Sequence, residues 1–191
     1  MQNSALQVYQ VLLIDDDHED FILTRTMLGK AQGSRYSLDW ACDYDTGLLK
    51  LRSQTYHAVL VDYDLGNKTG IQLIREICAS DYPAPLILYT GRGNYEVDVE
   101  ALEAGASFYI SKGDANALLL DRLIRYAVRQ KQIEQKLEDS LQERMHLLES
   151  IQDSFFSINR DWVITFMNNK AAQIGGSKPD KFVGRNFWEI F

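Results

Sequence analysis

The stretch that most restricts what this chain can fold into is Ala58-Val59-Leu60-Val61, an apolar run that stops abruptly on Asp62 and continues as Tyr63-Asp64-Leu65-Gly66-Asn67-Lys68-Thr69-Gly70. A short apolar run bounded by turn residues reads as a strand buried on both faces, the kind found in parallel sheets covered by helices. A carboxylate at its carboxyl end stands where open α/β sheets carry their chemistry. The pattern recurs along the chain. Val8 to Ile14 ends in Asp15-Asp16-Asp17, Leu86 to Thr90 closes on Gly91-Arg92-Gly93, and Ser107 to Ser111 ends on Lys112. Tyr36 to Ala41 supplies one further strand.

Segments with helical spacing lie between these strands. Asp20 to Lys30 carries Phe21, Ile22, Met27 and Leu28; Asp45 to Ser53 carries Leu48, Leu49 and Leu51; a third helix opens at Gly70 and a fourth ends at Gly105. Strands alternating with helices through short connections predict an α/β domain with a five-stranded, parallel, doubly wound sheet of flavodoxin-like type.

From Asn116 the character changes. Leu118 to Ser154 contains no Gly or Pro and is rich in Leu, Gln, Glu, Lys and Arg, so a single helix of roughly 35 residues, about 50 Å long, is expected. Leu137, Leu141, Leu148 and Ile151 follow a heptad seam that Glu134 and Arg144 interrupt, which favours a coiled-coil dimer helix over the alternative of a lone solvated helix. Beyond it, Phe155 to Asn159 and Val163 to Met167 read as a hairpin, with short helical pieces near Ala171 and Lys178. The organisation expected is a first domain over residues 1–128, a helical linker over 129–150 and a small α+β segment over 151–191.

With 46% hydrophobic and 25% charged residues the chain is globular rather than disordered, and a net charge of −7 argues against a broad nucleic-acid-binding surface. No apolar run is long enough to span a bilayer, and the start lacks the pattern of a signal peptide. Cys42 and Cys78 lack metal-ligand spacing and read as small core residues. A soluble, cytoplasmic protein is the expectation.

Asp15, Asp16 and Asp62 stand at the ends of strands expected to be neighbours. Two carboxylates about 4.5 Å apart repel by about 4 kcal/mol at an effective dielectric near 20, so such a cluster needs compensation. Mg²⁺, which favours carboxylates, carbonyls and water, is one compensator, and the Lys112 ammonium is a second. Thr90 offers a hydroxyl and Gly91 an unobstructed backbone N–H to a phosphoryl oxygen. Singly these features are ordinary: an acidic run after a strand is usually a capping device, a strand-end Thr a turn residue, a strand-end Lys solvated. Their joint occurrence at four strand ends of one domain is the signal.

Residues 8 to 128 resemble a response-regulator receiver domain, the phospho-acceptor half of two-component signalling. The resemblance rests on the acidic pair Asp15 and Asp16, on Asp62 with Gly70, and on Thr90, Tyr109 and Lys112. It implies that Asp62 accepts a phosphoryl group from a phosphohistidine of a sensor histidine kinase or phosphotransfer protein. Mg²⁺ would be held by Asp16, Asp62 and the backbone carbonyl of Asp64, with Asp15 acting largely through water. Lys112 would pair with the phosphoryl group, and Thr90 would move toward it. Tyr109 would repack inward, altering the face made by the fourth helix, fifth strand and fifth helix, and homodimerisation through that face or the linker helix would follow. Asp64 and Arg92 occupy positions that influence phosphoryl lifetime. Gly113 stands where the family commonly has proline. Leu147 to Ile158, Trp162 to Asn168 and Gly184 to Phe191 resemble the first part of a PAS sensor domain, with an output module expected beyond Phe191.

Two rival readings differ in class. Asp62-Tyr63-Asp64 also fits the nucleophile and acid pair of haloacid-dehalogenase-like phosphatases, although there the second acidic pair follows in sequence. A non-phosphorylated dimer scaffold is the other, against which the complete residue set argues. His146 lacks the context of a kinase phospho-acceptor and reads as an exposed helix histidine.

Overall fold

The computed structural model describes residues 7–80, 82–91, 95–150 and 153–190. The chain divides into two compact units, Met1–Ile133 and Glu134–Phe191.

The first unit is built on β1 (Val8–Ile14), β2 (Arg35–Ala41), β3 (Ala58–Val61), β6 (Leu86–Thr90) and β7 (Phe108–Ser111), all parallel, in the order β2-β1-β3-β6-β7. A small antiparallel pair, β4 (Asp64–Leu65) and β5 (Lys68–Thr69), follows β3. Helices α1 (His18–Gly29), α2 (Tyr44–Ser53), α3 (Gly70–Cys78), α4 (Tyr95–Glu103) and α5 (Ala117–Ser150) connect and follow these strands.

Strand periodicity explains the layering. Leu12, Ile14, Val59, Val61, Leu86 and Leu88 point to one side, where they pack with Leu51 of α2, Ile74 and Ile77 of α3 and Ala101 of α4. Val11, Leu13, Ala58, Leu60, Ile87 and Ile110 point to the other, against Leu28 of α1 and Leu120 and Ile124 of α5. Every residue of β3 is fully buried, which is why its sequence runs apolar without alternation.

The local signals that end and start elements are visible. Asp17 caps α1 by accepting from the Glu19 N–H at 2.7 Å, so that helix begins earlier than its apolar spacing suggests. Asp43 caps α2 through the Thr46 N–H, and Thr69 with Gln72 forms a reciprocal capping box at α3. The β4/β5 hairpin, absent from the sequence reading, turns through Gly66 and Asn67, with Gly66 at φ +77°. The long helix has 34 residues and ends at Ser150; Asp153 and Ser154 are not helical, which shortens the expected span, and 151–152 lie outside the described residues.

Cys42 corrects the expectation of a core position, whereas Cys78 packs on the core's edge. Cys42 is exposed, because it sits where the chain leaves β2, beside the cap Asp43. Cys78, at the end of α3, is half-buried against the Gly105 carbonyl.

Asp39 ties β2 to α2 and to the segment that leads into β3. It meets Lys50 Nζ at 2.6 Å, the Tyr56 hydroxyl at 2.6 Å and the Trp40 N–H at 2.8 Å. Partial burial pushes its carboxyl up, but the bonds from Lys50, Tyr56 and Trp40 outweigh this and hold it below the usual carboxylate value. The folded state therefore binds this proton less readily than the unfolded chain, so the network's stability is present above the ordinary Asp value and is lost as pH falls through the depressed one. Asp39→Asn is expected to flatten the acid side of a plot of melting temperature against pH and to lower stability at pH 7. An unchanged acid limb would show that other carboxylates govern it.

The second unit contains an antiparallel hairpin of β8 (Phe156–Ile158) and β9 (Ile164–Met167), then α6 (Asn169–Ile174) and two single 3-10 turns at Pro179–Lys181 and Phe187–Glu189. Its small core is Ile164, Met167, Ala171, Ala172 and Phe182. Buried Asn168 organises it, accepting from the Phe155 and Ala171 N–H groups at 3.0 and 2.9 Å and donating to the Asp153 carbonyl at 3.0 Å. No described helix is long and apolar enough to cross a membrane.

Candidate functional site

Sheet order places the site. The strand order reverses between β1 and β3, and such a switch point opens a crevice at the carboxyl ends of the strands. Asp15 and Asp16 follow β1, Asp62 follows β3, Thr90 ends β6 and Lys112 follows β7. Backbone bonds continue the sheet across these residues: Asp15 N–H to the Ala41 carbonyl at 3.0 Å, Asp62 N–H to Ile14 at 2.8 Å, and Lys112 N–H to Thr90 at 2.8 Å. The main chains of Asp15, Asp62 and Lys112 are thus tied to the neighbouring strands.

One carboxylate oxygen from each of Asp15, Asp16 and Asp62 lies within 4.8 Å of the others. Asp15 and Asp62 are buried and Asp16 is exposed, so the cluster opens to solvent on one side. Lys112 Nζ reaches Asp20 at 2.6 Å, Asp15 at 2.8 Å and Asp62 at 3.2 Å. The contacts to Asp15 Oδ2 and Asp62 Oδ1 supply charge without hydrogen-bond alignment, and both oxygens are buried with no aligned donor. The aligned bond goes to Asp20. Burial pushes the Asp15 carboxyl up to about 6, against the pull of Lys112 and the Asp17 N–H. Burial alone would lower the Lys112 ammonium, but the close Asp15 and Asp20 carboxylates, with Asp62 beyond them, raise it well above the usual lysine range. With three carboxylates on one ammonium, a fourth, Asp16, beside two of them, and two buried oxygens lacking aligned donors, these residues fit a hard divalent cation with oxygen ligands.

The segment after Asp62 is shaped by Gly70. Its N–H bonds the Tyr63 carbonyl at 2.8 Å, and a Cβ built there would stand 1.9 Å from the Asp62 carbonyl oxygen. Only glycine lets α3 start so close to the acid. Asp64 lies in β4, its N–H 3.2 Å from Asp62 Oδ2. Tyr109 pairs with Leu88 across β6 and β7 and packs, partly exposed, on the α2–α3–α4 side. At Gly113 the chain turns with its N–H on Ser111 Oγ at 3.3 Å. Arg92 lies outside the described residues.

The family model described as response regulator receiver domain matches residues 11–124, more than half of the chain. The chain belongs to this family. Its receiver domain is similar to transcriptional regulatory protein QseB of Haemophilus influenzae, 29% identical over 117 residues, covering 60% of this chain and 50% of the relative. Response regulator RppA of Synechocystis is 28% identical over 116 residues, covering 60% and 48%. The chain spans about half the length of these relatives. Among solved structures, a CheY-like receiver domain protein from Methanospirillum hungatei superposes with a TM-score of 0.58 at 24% identity, covering 66% of this chain and 98% of that one, a likeness of fold.

Two residues of the receiver site escaped the sequence reading. Asp20 lies in the first turn of α1, where an acid reads as a dipole partner, and its spacing of four from Asp16 was the available signal. Trp40, in β2, donates its indole N–H to the Asp15 carbonyl at 2.8 Å and stacks on Phe21 of α1 at 5.3 Å. It thereby ties the acidic loop to α1, a contact that only strand pairing creates.

Proposed function

We propose that Asp62 is a phospho-acceptor that takes a phosphoryl group from a phosphohistidine on a sensor histidine kinase or phosphotransfer protein. The observation that carries this reading is a buried carboxylate, 3.2 Å from an ammonium and beside two further acids, at the switch point of a receiver sheet. An Asp62 oxygen bonds phosphorus while the bond from phosphorus to the partner's imidazole nitrogen breaks, its electron pair returning to the ring. The products are an acyl phosphate and a histidine.

Asp16, Asp62 and the Asp64 carbonyl would hold Mg²⁺, with Asp15 acting through water, and the ion would neutralise charge on the phosphoryl oxygens. Lys112 supplies the second positive charge. The Thr90 hydroxyl and Gly91 N–H offer donors to the same oxygens. Movement of Thr90 toward the phosphoryl group and inward packing of Tyr109 would alter the face of α4, β7 and α5, and α5 would carry the change onward.

A small phosphodonor with Mg²⁺ tests this reading. One phosphoryl group per chain, labile to hydroxylamine as an acyl phosphate is, is the expected result. Absence of label, or steady turnover of a phosphate ester as a phosphatase would give, overturns it.

The partner surface in this reading includes a second copy, through α5 or the α4–β7–α5 face. Exposed Ile133, Leu137, Leu141 and Met145 on α5 support it. A dimer mass by light scattering that falls to a monomer when residues 131–154 are removed is expected; a monomer before removal ends that part of the proposal. The hairpin and α6 of the second unit support reading residues 151–191 as the first part of a PAS domain, through which output would pass.

A further inference from the structure

We propose that Asp20 is a positioning residue that holds Lys112 in the unphosphorylated state and thereby sets how tightly a phosphoryl group is held at Asp62. The inference rests on the phospho-acceptor reading and adds to it a residue outside the proposed metal ligands.

Lys112 has three N–H donors and lies within 3.2 Å of three carboxylates, but its aligned hydrogen bond is to Asp20, so turning the ammonium fully onto a phosphoryl oxygen means giving up that bond. The three contacts are unequal. Asp20 Oδ2, at 2.6 Å, is the shortest and has hydrogen-bond alignment, whereas Asp62 Oδ1 stands at 3.2 Å. The ammonium is therefore drawn toward α1 and away from the acceptor.

Solvent access decides which partner gives way. Asp15 is fully buried, and leaving it without a cation would strand a desolvated charge. The Asp20 side chain is 28% exposed, so water can take up its carboxylate when Lys112 leaves. Asp20 is also a negative charge beside the place where an anionic phosphoryl group would sit, and it opposes that group through the same ammonium. Lys112 exchanging Asp20 for a phosphoryl oxygen couples the start of α1 to the state of Asp62.

The test is an equilibrium titration of the full chain with beryllium fluoride, a phosphoryl mimic, at saturating Mg²⁺, followed by fluorine NMR. Asp20→Asn keeps the side chain's shape and removes its charge, and it is expected to bind the mimic roughly tenfold tighter, the effect of one charge-assisted hydrogen bond that no longer competes. Asp20→Glu retains the charge and is expected to bind as the parent does. Damage to the fold weakens binding, so a gain cannot arise from it. Unchanged or weaker binding by Asp20→Asn overturns the inference, as does Asp20→Glu binding as tightly as Asp20→Asn, since charge would then not be the cause. If the parent itself shows no Mg²⁺-dependent binding of the mimic, the phospho-acceptor reading falls and this inference with it.

Discussion

Asp62→Asn is expected to abolish Mg²⁺-dependent phosphorylation by a small phosphodonor, a loss of at least about a hundredfold, as removal of a nucleophile gives. The carboxamide matches the carboxylate in shape but carries no charge and offers no nucleophilic oxygen. The backbone around it need not move, because the Asp62 N–H stays bonded to the Ile14 carbonyl and Gly70 continues to pack on the Asp62 carbonyl. Lys112 keeps Asp15 and Asp20 as partners. A normal melting transition alongside the lost label would separate lost chemistry from lost folding. Asp64→Asn, altered on the exposed side chain of β4, is expected to retain the label. Were label retained in Asp62→Asn and lost in Asp64→Asn, the acceptor would be misassigned.

Gly70→Ala has the second largest expected effect, on stability. The added Cβ would meet the Asp62 backbone oxygen at 1.9 Å and Val61 Cγ1 at 2.8 Å. Neither atom is the loose end of a flexible side chain. The oxygen belongs to a strand end in the middle of the sheet, and Gly70 is the first residue of α3, whose next residue Ile71 is buried in the core. Relief requires α3 to move from the sheet or the acid-bearing loop to shift, and overpacking at such a place costs about 3 kcal/mol. A melting temperature lower by roughly 10 °C follows, with weaker phosphorylation because Asp62 is displaced. Gly29, near the end of α1 with nothing within 4 Å of its added Cβ, is the control; alanine there is expected to be neutral or to stabilise by up to about 1 kcal/mol. Equal midpoints for the two variants in urea would show that the close approach at Gly70 carries no strain.

Gly70 also separates what could be read from what could not. Its place eight residues after Asp62 was part of the family resemblance, but its reason, a helix starting against the carbonyl of the acid, needs three-dimensional proximity. The β4/β5 hairpin between them is too short to leave a periodic signal, and its turn at Gly66 and Asn67 was the one local hint. Cys42 shows the converse error: a small apolar residue beside a strand suggested burial, yet the chain had already left the sheet.

The sequence by itself determined the order and kind of the five parallel strands and the helices between them in the first unit. Apolar runs without alternation can only be satisfied between two helical layers, and the polar residues that interrupt them mark strand ends. It thereby put Asp15, Asp16, Asp62, Thr90 and Lys112 at one end of a sheet. The tertiary structure alone decided who holds the cation. Lys112 is 92 residues from Asp20, yet their 2.6 Å bond is the shortest contact of the ammonium. A long, flexible side chain chooses among acids by distances of tenths of an ångström, and those distances are fixed only once α1 and β7 have packed on the same sheet.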